Sequence, residues 1–410
     1  MTTGLDDARA MDAADPLRAF RDRFELPAEV IYLDGNSLGA LPKAAPERLR
    51  VAATLEWGEG LIRSWNDADW IGAPARVGAK IAPLVGAGPT EVVVADSTSV
   101  NLFKLLSAAS SARPDRGVIL YEAGDFPTDG YMAEGLAALV PAVEARSAPP
   151  GAIPDMIDDT VAVVLLSHVH YKTAARWDMA ALTARAHAAG ALVLWDLSHA
   201  AGAIEVDLNG CDADLAVGCG YKFLNGGPGA PAFLFVAARL HGSLTSPLTG
   251  WMGHAAAFDF EGTYRPAPGI ERFLAGTPSI LGLLALEVGV DLAREATIPA
   301  VEAKSRALWG LFAERMERRC AGFGFTRLTI ADGAARGSHI AYAHPQGYAI
   351  MRTLISRGVI GDFRKPDVLR FGLTPLYLGF EDVWRAVETL AEVMESESWR
   401  DAPASSGRVT

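Results

Sequence analysis

Two stretches of unbroken apolar residues, Val161 to Leu166 and Ala191 to Trp195, constrain the fold more than any other feature of this chain. A strand with one face in water alternates apolar and polar residues, whereas a strand that is apolar throughout must be covered on both faces, as in a parallel sheet flanked by helices. Val92 to Asp96, Gly117 to Glu122, Asp214 to Cys219 and Ala230 to Val236 read as further strands, and the two runs extend to Ser167 and Leu197. The segments between them carry helical spacing. Leu102, Leu105, Leu106 and Ala109 fall at i, i+3, i+4 and i+7, and Asp178 is placed to cap a helix bearing Met179, Leu182 and Ala186. From about Ile280 the pattern becomes mainly helical, with a stripe of Val383, Val387, Leu390 and Met394 and a strand-like piece from Val368 to Leu373.

The expected architecture is α/β, a mostly parallel sheet sandwiched by helices in a large domain plus a smaller α+β C-terminal domain. The boundaries expected are an N-terminal arm over 1–45 that contributes to the small domain and the active site, a large domain over 46–274 and a small domain over 275–410. A polar, mobile N-terminus and a frayed tail after Trp399 are expected.

Charge and cysteine content narrow the function. With 37 basic against 49 acidic residues the net charge is −12, and no window clusters Lys and Arg as a phosphate backbone would demand, so nucleic acid is not expected as a partner. The apolar runs fall far short of the ~20 residues that span a bilayer. Asp6, Asp7, Asp12 and Asp15 occupy the place where a signal peptide would have a cationic start and an apolar core. Cys211, Cys219 and Cys320 suit neither a disulfide framework nor a zinc site, which fits a reducing cytoplasm.

Ligands of open α/β sheets bind beyond the carboxyl ends of the strands. One strand ends in Asp196, with His199 three residues on; the next leads to Tyr221 and Lys222, between apolar and glycine-rich neighbours that should desolvate the amine. Taken singly, Asp196 reads as a turn or helix cap and Lys222 as a snorkelling surface lysine. Together they are the pair that pyridoxal phosphate requires: an amine to bond its aldehyde and a carboxylate to keep its ring nitrogen protonated. Lys172, after the preceding strand, is the lesser candidate for the amine. Asp96 to Ser99, between a strand and a helix, offers hydroxyls and N–H groups for a phosphate, although hydroxyls there are ordinarily plain caps. Phe126 follows another strand and could stack on a flat ring, or simply pack in the core. His168 and His170 lack a third ligand at metal spacing, so no metal is expected. The Gly226 to Gly229 run precedes a strand and is not a dinucleotide loop.

With these residues in this order the sequence resembles the kynureninases, a fold-type I pyridoxal-phosphate family. The landmarks are Tyr32 to Gly39, the hydroxyl stretch into Val100 to Leu102, Phe126 to Asp129, Asp196 to His199, Tyr221 to Asn225, Gly250 to His254, Gly276 to Pro278 and Leu369 to Pro375. The resemblance implies that Lys222 bonds the cofactor, Asp196 pairs with its ring nitrogen, His199 lies nearby and Phe126 covers the ring face. It implies polar contacts from Asp129 and Ser167, and phosphate contacts from Thr98, Ser99 and Tyr221. Trp251 and Thr277 would come from the second subunit of a homodimer, Arg370 would grip the substrate's α-carboxylate with a bidentate guanidinium, and Tyr221 would donate a proton around Cβ.

The implied reaction is hydrolysis of L-kynurenine to anthranilate and L-alanine, in tryptophan catabolism. The Gly276-Thr277 pair resembles bacterial members that handle unsubstituted kynurenine rather than 3-hydroxykynurenine. Trp65 and Trp70 are candidates to line an aryl pocket. Within Tyr171 to Met179 the sequence departs from the family pattern, with Ala174 in place of a glycine and Trp177 in place of a histidine, so the loop beside Ser167 is expected to differ in geometry. The rival readings are an aminotransferase, epimerase or desulfurase of the same fold branch, and a non-catalytic ligand sensor.

Overall fold

The computed structural model describes residues 3–401. Its centre is a seven-stranded sheet built from β1 (Val92–Val94), β2 (Val118–Glu122), β3 (Glu144–Ala148), β4 (Val161–Ser167), β5 (Leu192–Asp196), β6 (Leu215–Gly218) and β7 (Phe233–Val236), in the order β1-β7-β6-β5-β4-β2-β3. All neighbours are parallel except β7, which runs antiparallel to both β1 and β6. Because side chains alternate along a strand, each unbroken apolar run feeds two cores. Val164, Leu166, Val193 and Trp195 point to one face and pack with the helices Ala73–Ile81, Met179–Ala189 and Ile280–Ala296. Val163, Leu165, Leu192 and Leu194 point to the other, under Thr98–Ser111 and Pro127–Leu139.

The β3 strand lies outside the expected set. It is an edge strand reading Glu144, Ala145, Arg146, Ser147 and Ala148, and its polar, partly exposed pattern carries no apolar run to betray it.

A third core joins the two ends of the chain. Ala8, Leu17, Phe24, Leu33 and Ala40 pack with Leu308, Phe312, Ile340, Phe371, Val383, Val387 and Leu390. The expectation of a mobile N-terminus is therefore corrected: Leu5–Ala14 is a helix, and the Asp12 carboxylate accepts the N–H groups of Phe380 and Glu381 at 2.7 and 2.9 Å, at the open N-terminus of the helix Phe380–Glu395. The tail beyond residue 401, also expected to be mobile, lies outside the described residues. The C-terminal unit is built on a four-stranded sheet of β8 (Thr326–Arg327), β9 (His339–Ala343), β10 (Asp362–Arg364) and β11 (Val368–Gly372), in the order β8-β9-β11-β10 with every pair antiparallel. The helix Ile280–Ala296, beyond the boundary expected near residue 275, sends Leu283, Leu286, Val290 and Ala293 into the core of the large sheet.

Candidate active site

The carboxyl ends of β4, β5 and β6 bring their polar residues together. Asp196 ends β5, and its Oδ1 accepts the N–H of Ser198 at 2.8 Å. Lys222 lies four residues beyond β6, is 8% exposed, and places Nζ 3.3 Å from Nε2 of His199. Burial and the neighbouring Lys222 hold the His199 pKa well below the ordinary imidazole range. The Phe126 ring centroid is 5.8 Å from Nζ, and the ring meets Tyr171 edge-on at 5.5 Å. Ser167, the last residue of β4, donates its hydroxyl to Asp129 at 3.4 Å and its N–H to Asp125 at 3.2 Å.

The electrostatics are lopsided. Asp125, Asp129 and Asp196 are all buried, with Lys222 among them as the cation. Burial, then the charges of Asp196 and Asp125, push the Asp129 pKa well above the usual carboxylate range, and burial raises that of Asp196 too. Nearby, a cavity of about 250 Å³ is lined by Asp96, Ser97, Thr98, Cys219, Tyr221 and Gly229. Ser97 caps the helix Thr98–Ser111, and the buried Thr98 hydroxyl has no hydrogen-bond partner among the described residues. The Asp96 carboxylate at this rim is paired with the fully buried Lys104, which also donates to Phe273 O at 2.8 Å.

The N-terminal arm closes over this centre. Gly39 N–H donates to Tyr221 O at 2.8 Å, and a Cβ at Gly39 would collide with the Lys222 carbonyl, so only glycine permits the approach. The C-terminal unit contributes Arg370 on β11, which is fully buried.

A family model of the kynureninase C-terminal domain matches residues 301–390. The kynureninase of Burkholderia mallei (strain ATCC 23344) is 49% identical over 401 residues, 96% of each chain, and that of Pseudomonas fluorescens 48% identical over 408 residues, 98% of each. The chain belongs to the kynureninase family. Solved structures extend the likeness of fold. A cysteine desulfurase from Thermococcus onnurineus NA1 covers 92% of this chain and 98% of its own at a TM-score of 0.77 with 18% identity. An Escherichia coli cysteine desulfurase covers 94% and 99% at 0.76 with 20% identity.

Pyridoxal phosphate, the cofactor expected of a kynureninase, fits the residues present. Three buried acids gathered around one lysine would welcome a protonated ring nitrogen, and the unpartnered Thr98 hydroxyl at a helix N-terminus would welcome a phosphate. Two of the residues expected at a kynureninase site stand apart within one chain. Trp251 packs edge-on against Phe258 at 5.5 Å and lines a cavity with His254 and Phe260, and Thr277 is exposed; neither shares a hydrogen bond or ring contact with Lys222 among the described residues.

Arg370 differs from expectation in another way. Its guanidinium is already paired with Asp362 through Nε, at 2.9 Å, and Nη2, while Nη2 also donates to Ser37 Oγ at 3.0 Å and Nη1 to Tyr171 O at 2.7 Å. Burial alone would raise the Asp362 pKa, but Arg370 and Arg364 hold it below the usual range. Trp65 and Trp70 meet edge to face at 5.9 Å, with Trp70 donating to Glu56. The competing lysine, Lys172, holds its Nζ over the Tyr171 ring, 5.3 Å from the centroid. The pair His168 and His170 diverges: His168 packs edge-on against Trp195 and His170 Nε2 faces Gly124 O at 3.2 Å.

The departing loop is well held. Ala174, standing where the kynureninase pattern has glycine, is buried at φ +57°, a conformation that favours glycine. Gly337 N–H binds its carbonyl at 2.8 Å. Trp177 donates to Glu122 at 3.1 Å, and Arg176 to Glu302 at 3.0 Å. Sequence reasoning did not single out Asp125, Asp362 or His339. Asp125 could have been found, since it ends a strand exit just before Phe126; the other two sit in strands of the C-terminal unit with no motif around them.

Proposed function

We infer that this protein is a pyridoxal-phosphate-dependent kynureninase that hydrolyses L-kynurenine to anthranilate and L-alanine. Water is added across the Cβ–Cγ bond: its oxygen joins the aryl carbonyl carbon, which becomes the anthranilate carboxylate, and a proton goes to Cβ, which becomes the alanine methyl. The observation that carries the reading is the juxtaposition of Lys222, Asp196 and His199 at adjoining strand exits in a chain 49% identical to curated kynureninases. When bound, pyridoxal phosphate supplies an electron sink for charge developing at the substrate's Cα.

The roles proposed for the side chains are those the kynureninase resemblance implies. Lys222 is the amine that would hold the cofactor's aldehyde and would move the proton at Cα; the neutral His199 imidazole 3.3 Å away orients it. With the cofactor bound, Asp196 would pair with its ring nitrogen, Phe126 would cover the ring, and Asp129 and Ser167 would contact its polar edge. Thr98, Ser99 and Tyr221 would hold the phosphate. Burial raises the Tyr221 pKa, so its phenol keeps the proton it delivers toward Cβ. Arg370 takes the α-carboxylate.

The functional unit is a homodimer in which Trp251 and Thr277 reach the partner's site. The support is the exposure of Thr277, the packing of Trp251 against the exposed Phe258, and the exposed apolar side chains of Trp57, Ile62, Phe258 and Phe260, which are 58 to 77% exposed. A cytoplasmic location and a place in tryptophan catabolism belong to the same reading. Its cysteines are free, and among the described residues no helix is long and apolar enough to cross a membrane.

A desulfurase reading, which the fold alone would allow, is disfavoured by the thiols. Cys219 and Cys320 are buried, and burial raises the pKa of all three, the opposite of what a nucleophilic cysteine needs. The test is to incubate cofactor-loaded protein separately with L-kynurenine and L-3-hydroxykynurenine and to quantify the aryl acid and alanine together. Equal amounts, with L-kynurenine preferred, are expected; consumption without alanine would mean aminotransfer or another reaction.

A further inference from the structure

Arg370 has little left to offer a substrate. A guanidinium carries five N–H groups. Four of them are directed at Asp362, Ser37 and Tyr171, which leaves one on Nη1. A carboxylate accepts at two oxygens, so a site with one free N–H is short of donors.

The missing donor lies on the same sheet. His339 begins β9 opposite Gly372, and Ala341 on the same strand is opposite Arg370, which in turn pairs with Asp362 on β10. Residues two apart on a strand share a face, as do direct cross-strand partners. His339, Arg370 and Asp362 therefore project from one face. The imidazole is fully buried, and neither ring nitrogen has a hydrogen-bond partner within 3.5 Å among the described residues, the Lys172 backbone being a more distant hydrogen-bonding neighbour. Its ring centroid is 5.9 Å from that of His199, whose Nε2 is 3.3 Å from Lys222 Nζ. The imidazole thus shares a sheet face with Arg370 and neighbours the histidine that meets Lys222.

Around it are Arg370 and Asp362 from its own sheet, and His199, His170 and the Lys172 backbone from the large unit. Burial and Arg370 hold the ring neutral. A neutral imidazole has one N–H to give. An interior seldom leaves such a group unpaired unless something outside the polypeptide completes it.

We propose that His339 is a substrate-binding residue, donating to the second oxygen of the α-carboxylate held by Arg370. The inference rests on the reading that this site takes an amino acid by its carboxylate.

Three proteins decide it: wild type, His339→Leu, which keeps volume without a donor, and His339→Gln, which restores a donor. Each is loaded with pyridoxal phosphate, assayed with L-kynurenine and titrated with L-alanine by the cofactor's absorbance. For His339→Leu the KM for kynurenine and the Kd for L-alanine should rise about tenfold or more, as for a lost hydrogen bond to a charged group. Its kcat should stay within about threefold of wild type and its cofactor uptake should not change, while His339→Gln should recover most of both affinities. Wild-type affinities in His339→Leu, a loss confined to kcat, or no recovery with Gln would overturn the proposal. Should the Leu variant fail to fold, His339→Met takes its place. If wild type does not cleave kynurenine the functional reading fails, and the L-alanine titration still decides the role of His339.

Discussion

At the scale of single residues the account turns on which lysine bonds the cofactor. Lys222 stands with its Nζ 3.3 Å from His199 and its neighbours Asp129 and Asp196 buried beside it, whereas Lys172 lies over the Tyr171 ring on a loop. Borohydride reduction of the cofactor-loaded protein followed by peptide mapping should place the pyridoxyl label on Lys222, and Lys222→Ala should lose both the label and turnover; a label on Lys172 would move the centre of the site. Asp196 and Lys222 were legible because each follows an apolar strand, so the run itself points to the exit. Asp362 was not, because a buried carboxylate pairing with an arginine eight residues away across a strand turn leaves no local signature. The same pairing explains why Arg370 alone suggested a free fork: sequence shows the guanidinium and hides the acid that occupies it.

Among elements, the loop from His170 to Asp178 connects the two units, through Tyr171 to Arg370, Ala174 to Gly337 and Arg176 to Glu302. Its anchor on the large sheet is the Trp177 hydrogen bond to Glu122. Burial, then the charge of Asp125, push the Glu122 pKa from 4.5 to about 7, opposed by the Trp177 bond. An acid whose folded pKa is raised favours the fold while protonated. Its contribution is full below about pH 4.5 and is lost as pH rises through 7. Glu122→Gln keeps an acceptor for Trp177 without the charge, and should raise the melting temperature at pH 8 while leaving it nearly unchanged at pH 5. An equal effect at both pH values would mean that Glu122 does not titrate there. Strands buried on both faces were readable from their apolar runs; β3 was not, because an edge strand needs no such run, and the helix Leu5–Ala14 was not, because only Ala8 of it is buried and its hold is the capping of another helix by Asp12.

For the whole molecule, the three cores make one arrangement: two faces of the large sheet, and a unit in which the N-terminal arm and the C-terminal sheet share an interior. That sharing is why the arm reaches Tyr221. In the proposed dimer, the exposed Phe258 and Phe260, beside Trp251, would lie where the second copy completes the site. Mixed dimers of Lys222→Ala and Trp251→Ala, each nearly inactive alone, should regain a measurable part of wild-type activity, since one of their two sites would be intact; no recovery in verified mixed dimers would assign both residues to the same chain's site. The central claim, hydrolysis of kynurenine at a Lys222-centred site, is tested most directly by turnover in water enriched in oxygen-18. The account predicts one heavy oxygen in the anthranilate carboxylate for each alanine formed, in wild type and not in Lys222→Ala. Anthranilate without heavy oxygen, or no alanine to match it, would contradict it.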